Sequence, residues 1–189
     1  MLWPFNHFRR PDASPAPTIE VIYGMIVTRA REPVFYRQFG VPDTVDGRFD
    51  LLLLHLWMVL RRVRIANGGM ESAQALFDRF CEDMDDNLRE MGVGDLAVPR
   101  RMQALGEAFY GRSRAYDLAL GQGTEHGAER APEALAQAIA KNILNGGGLD
   151  HAQALAAYAM ATVTSLAACD DAAMLRGRWT FPPLESKDR

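Results

Sequence analysis

The chain has 189 residues, 48% hydrophobic and 24% charged, with a formal net charge of −3. That length supports one core without disulfides or metals, and the composition excludes a disordered polymer. An acidic balance also lacks the broad positive field that neutralises phosphates, so nucleic acid is not an expected partner.

The charge is unevenly spread. From Gly68 to Val98 the acids Glu71, Asp78, Glu82, Asp83, Asp85, Asp86, Glu90 and Asp95 face only Arg79 and Arg89. Cys81 and Cys169 lack metal or redox spacing and are expected as buried free thiols.

In chain order, Met1 to Arg10 puts its bases after its aromatics and has no apolar run before a small-residue cleavage site, so it does not read as a secretory signal. Residues 1–17 read as a flexible arm ending in the proline–alanine stretch Pro11 to Pro17. Its Trp3, Phe5 and Phe8 beside Arg9 and Arg10 suit peripheral membrane contact, docking on a protein, or no role at all.

Thr18 is placed to cap a first helix carried by Ile19, Ile22, Tyr23 and Ile26 as far as Arg31 and Pro33. Pro33 to Phe39 predicts a short helical turn, followed by a loop punctuated by Gly40, Pro42, Asp43, Thr44 and Gly47. Phe49 to Val63 predicts a central core helix with Arg61, Arg62 and Arg64 at its C-terminal end, broken by Asn67, Gly68 and Gly69. Glu71 to Met91 predicts an amphipathic helix with Phe77, Phe80, Met84, Leu88 and Met91 on one face.

After Gly92 to Gly94, Asp95 suits a cap and Pro99 the first position of a helix carried by Met102, Leu105, Phe109, Tyr116 and Leu120. Pro132 is expected to open the next helix, stopped after Ile143 by Asn145 and Gly146 to Gly148. The last long helix starts at Asp150. Its stretch from His151 to Cys169 carries no formal charge and is about long enough to span a bilayer, but alanine with His151, Gln153, Thr162, Thr164 and Ser165 favours a buried, closely packed helix. Residues 171–189 read as an irregular tail whose Trp179, Phe181, Pro182 and Pro183 either fold back or stay loose. The expected fold class is all-α: one compact bundle of about six main helices over residues 18–170.

No Gly-x-Ser-x-Gly, Walker loop, Glu-x-x-His or complete Gly-x-Gly-x-x-Gly occurs. His7 and His126 fall in the arm and a glycine-rich loop, and His55 is expected as a hydrogen-bonded core residue. The run Glu82-Asp83-Met84-Asp85-Asp86, with Asp78 one turn earlier, imitates the magnesium-binding acidic motif of all-helical isoprenoid synthases. Asp170 with Asp171 is a poor second motif, so the run is expected as a solvated helix face. No catalytic residue, metal or cofactor is expected.

Four stretches together carry a resemblance. They are Ala30-Arg31-Glu32-Pro33-Val34-Phe35-Tyr36; Gly40-Val41-Pro42-Asp43-Thr44-Val45-Asp46-Gly47-Arg48-Phe49-Asp50; Asp83-Met84-Asp85 with Leu88-Arg89-Glu90-Met91-Gly92-Val93-Gly94-Asp95; and Ala108-Phe109-Tyr110-Gly111-Arg112. From Tyr23 to about Leu120 the chain resembles the ubiquinol-cytochrome c chaperone family. The resemblance implies a helical, non-enzymatic protein assisting biogenesis of the cytochrome bc1 complex, with newly made cytochrome b as the client in mitochondrial relatives. Without an Arg- and Ser-rich targeting peptide, the chain looks like a bacterial member acting in the cytoplasm or peripherally at the inner membrane. The alternatives are the isoprenoid enzyme and a generic helical adaptor.

Two roles stay open for the motif residues. Arg31, Phe35, Tyr36, Pro42, Asp43, Arg48, Arg89, Glu90, Asp95, Phe109, Tyr110 and Arg112 either contact a protein partner or fasten the chain's own loops, for instance Arg48 or Arg112 bridged to Asp43 or Asp95.

Overall fold

A computed structural model describes residues 16–121 and 127–184, and side chains over 18–121 and 131–184. Among the described residues all regular structure is helical: α1 (Ala16–Ala30), α2 (Pro33–Arg37), α3 (Val45–Ile65), α4 (Gly69–Glu90), α5 (Val98–Ala119), α6 (Gly127–Asn142), α7 (Leu149–Ala167) and α8 (Asp171–Leu175). Six of these are long, as the apolar periodicity predicts.

α3 is the axle. Leu51, Leu53, Leu54, Leu56, Trp57, Met58, Val59, Leu60 and Val63 are all buried, because α1, α4, α5, α7 and α8 each pack against this helix. Each such side chain contributes roughly 1.5–3 kcal/mol of transfer free energy, so a helix apolar all round belongs at the centre. α6 lies outside, against α5 and α7.

α7 buries Ala152, Leu155, Ala156, Ala159 and Leu166, and its alanines let α3 and α6 approach closely. Among the described residues no helix is long and apolar enough to cross a membrane.

Several boundaries differ from expectation for local reasons. α1 starts at Ala16, so Thr18 lies inside the helix. α3 starts at Val45, four residues before Phe49, because Thr44 Oγ1 accepts the Gly47 N–H at 3.1 Å and caps it. Asp95 is not a cap: it pairs with Arg89, and α5 opens at Val98 with Pro99 in its second position. Pro132 falls inside α6 rather than opening it. Cys81 and Cys169 are half-buried, not buried. Burial, followed by the charges of Asp78 and Glu82, pushes the Cys81 thiol up to about 12.

Past Asp170, which caps α8 by accepting the Ala173 N–H, the chain folds back as far as residue 184. Met174 and Trp179 are buried and Phe181 and Leu184 pack on the core. The segment expected as irregular therefore contains a short helix and a strap. The arm's Trp3, Phe5, Phe8, Arg9 and Arg10, together with His7 and His126, lie outside the described residues.

Candidate functional site

The motif residues form three fastenings around α3. The first joins α2 to the loop ahead of α3. Phe35 is fully buried, with its ring 5.2 Å from His55 and 5.1 Å from Tyr158. Tyr36 donates to the Ala30 carbonyl at 2.9 Å, and the Arg48 guanidinium lies 5.6 Å from its ring centre. Arg48 pairs with Asp43 at 2.7 Å on the surface. Pro42 packs closely on Gly47: a Cβ there would lie 2.1 Å from the Pro42 carbonyl oxygen. Arg31 is exposed, and its guanidinium makes no hydrogen bond or ion pair among the described residues.

The second fastening closes the α4–α5 turn. Arg89 bridges Asp85 and Asp95, both at 2.5 Å, while Glu90 is exposed. The third joins α5 to α3 and α4. Arg112 pairs with Asp50 at 2.6 Å, not with Asp95. Phe109 is buried against Phe77 at 5.1 Å, and Tyr110 lies 5.8 Å from Phe77 with about half its surface exposed. Burial, opposed by Arg112, lifts the Asp50 carboxyl to about 6.

A fourth arrangement centres on His55. His55, fully buried on α3, engages the Leu51 carbonyl through Nδ1 and the Tyr158 hydroxyl through Nε2, both at 2.8 Å. With Nδ1 donating to a carbonyl, Nε2 accepts from the hydroxyl. Arg29 Nε donates to the same hydroxyl at 3.0 Å, and Arg29 also pairs with Glu32. Burial pulls the His55 imidazole down to about 4, so it stays neutral across the ordinary pH range. His55 is the hydrogen-bonded core histidine its apolar neighbours predict. Arg29 and Tyr158, 129 residues apart, carry no shared sequence signal.

In the acidic run of α4, Asp83 and Asp85 are engaged by the protein's own donors, as is Asp171 in its weak counterpart, while Glu82 and Asp86 are exposed to solvent. Asp83 accepts from the Tyr23 hydroxyl at 2.8 Å, and Asp85 holds Arg89. Asp171 accepts from Arg62 and from the Asn67 N–H, and those bonds, the backbone one foremost, lower its carboxyl. Among the described residues no three His, Cys, Asp or Glu side chains are grouped to hold a metal ion.

Such a molecule, with motif residues clasping its own loops and helix seams, is a helical scaffold. The sequence profile described as ubiquinol-cytochrome C chaperone matches residues 37–181, and the chain belongs to that family. A relative from Xenopus laevis, ubiquinol-cytochrome-c reductase complex assembly factor 1, is 26% identical over 171 residues, covering 88% of this chain and 82% of that protein. The human protein of the same name is 27% identical over 97 residues, a match spanning 51% of this chain but 32% of the human one. The crystal structure of the Cbp3 homolog from Brucella abortus superposes with a TM-score of 0.76 at 36% identity, covering 88% of this chain and 89% of that one.

Proposed function

We propose that this chain is a non-catalytic assembly chaperone for the cytochrome bc1 complex, acting peripherally at the cytoplasmic face of the inner membrane on newly made cytochrome b. The observation that carries the reading is the family match over residues 37–181, strengthened by 36% identity to the Brucella abortus protein over nearly the whole of both chains. The site chemistry agrees in kind. Phe35, Phe109 and Arg112 serve the core and the helix seams, while Arg31, Arg48, Arg89 and Tyr110 are exposed and Tyr36 is half-buried; Val45, the first residue of α3, is exposed as well. Exposed aromatics and arginines are the side chains that contribute most to protein–protein recognition.

Deleting the gene and quantifying assembled bc1 complex on native gels tests the role, with reintroduction of the chain restoring it. Unchanged complex in the deletion strain sinks the proposal. A photo-crosslinking residue in place of Val45 or Tyr36 is expected to trap cytochrome b in cells, and a consistent adduct with an unrelated protein instead would make the chain a general adaptor.

A further inference from the structure

The strap that follows α8 lays its side chains against α1 and α3 much as a bound peptide would. Its sequence, Trp179-Thr180-Phe181-Pro182-Pro183-Leu184, runs without helix or turn. Phe181 meets His55 edge-on at 5.5 Å and Trp179 at 5.2 Å, and the Arg29 guanidinium stands 5.7 Å from the Phe181 ring centre. Arg29 also donates through Nη2 to the Pro182 carbonyl. An aromatic-lined groove with one polar donor reading a carbonyl of an extended proline segment is a known way of binding peptides.

Receptor and occupant are held very differently. The groove floor is fixed without the strap, since His55 is bound to the Leu51 carbonyl and to Tyr158, and Arg29 to Tyr158 and Glu32. The strap depends on side-chain burial. Among the described residues no backbone N–H from Trp179 to Leu184 donates within the chain; the last backbone–backbone bond is Arg178 N–H to the Ala173 carbonyl at 2.9 Å, and beyond it the Pro182 carbonyl is held by Arg29 alone. Trp179 Nε1 is buried with no partner, a penalty relieved when the strap lifts. A preformed groove under a weakly tethered segment is the arrangement in which an occupant is exchanged.

We infer that the groove between α1, α2, α3 and α7 is a binding site for an extended aromatic–proline segment of another polypeptide, and that the chain's own residues 179–184 occupy it until displaced. The occupant's chemistry is read from the strap: an indole or phenyl ring two residues before a second ring, then proline with a free carbonyl for Arg29. This does not rest on the bc1 reading. Peptide binding can fail while bc1 assembly depends on the chain, and the reverse.

The test uses the full chain and a fluorescent peptide with the sequence of residues 177–187. Fluorescence polarisation should show weak binding to the unaltered chain and about tenfold tighter binding to Phe181→Ala, in which the internal competitor is weakened. A peptide with alanine at both ring positions should not bind. A folded Phe181→Ala chain that binds no better overturns the inference. Should that variant not fold, amide NMR of the unaltered chain with about 1 mM peptide decides: shifts confined to the strap and to its neighbours on α1, α2, α3 and α7 support exchange, and an unchanged spectrum overturns it. A dimer at high concentration that trades straps between two copies would also overturn it, because the groove would then serve self-association.

Discussion

Tyr158 holds three parts of the chain through one oxygen. Its hydroxyl donates to His55 on α3 and accepts from Arg29 on α1, while its own backbone belongs to α7. Removing that oxygen leaves a buried imidazole nitrogen and a buried guanidinium N–H without partners, and stranded polar groups cost more than the bond itself contributes. Tyr158→Phe is therefore expected to destabilise the fold by about 1–3 kcal/mol, read as a lower urea midpoint with an unchanged slope. Tyr116 makes the opposite case. It is buried more deeply, packed 5.1 Å from Trp57, but its hydroxyl has no partner. Tyr116→Phe should be neutral or stabilising by up to about 1 kcal/mol, and a loss comparable to that of Tyr158→Phe would mean this hydroxyl is bonded after all.

Among the elements, the loop entering α3 is tightly specified. Thr44 caps the helix through the Gly47 N–H, and Gly47 sits so close to Pro42 that a Cβ would lie 2.1 Å from its carbonyl oxygen. Gly47→Ala must push the loop away, loosening the cap and the Arg48–Asp43 pair together, so a loss of about 2 kcal/mol or more is expected by thermal unfolding. Gly111, in the middle of α5 with nothing within 4 Å of an added Cβ, is the control. Gly111→Ala should raise stability by about 0.5–1 kcal/mol.

The same loop shows why element order was legible and boundaries were not. Apolar periodicity located every long helix, because burial on one face imposes it. The starts of α1, α3, α5 and α6 moved because caps and prolines act over one or two residues, and Gly47 reads as a turn residue although it serves close packing within a helix. Of the candidate site, Arg48–Asp43 was legible as a short-range pair. Arg112–Asp50 and Arg29–Tyr158 were not, since they join helices that only the folded bundle brings together.

At the scale of the whole molecule two buried groups pull stability in opposite directions with pH. The Asp50 carboxyl is raised from its ordinary 3.8 to about 6, chiefly by burial, with Arg112 opposing and Asp46 adding. The fold therefore binds this proton more tightly than the unfolded chain does. That contribution is fully present below about pH 4 and is lost as pH rises through 6. The His55 imidazole is lowered from its ordinary 6.5 to about 4, by burial and then the nearby Arg29 charge, against the Leu51 carbonyl bond. Its contribution is present above pH 6.5 and is lost as pH falls towards 4. Over that interval the two nearly cancel, and the unaltered chain should change little in stability.

Asp50→Asn removes one side of the balance. Leaving Arg112 without its carboxylate lowers stability by an offset that does not vary over this range, because the guanidinium stays charged throughout. The His55 contribution is then unopposed. The variant should lose on the order of 2–3 kcal/mol between pH 6.5 and 4, measured by urea unfolding at half-unit intervals. Parallel pH profiles for the two proteins would show that Asp50 titrates in the fold as it does in water, and that the α3–α5 seam is wetter than its packing indicates.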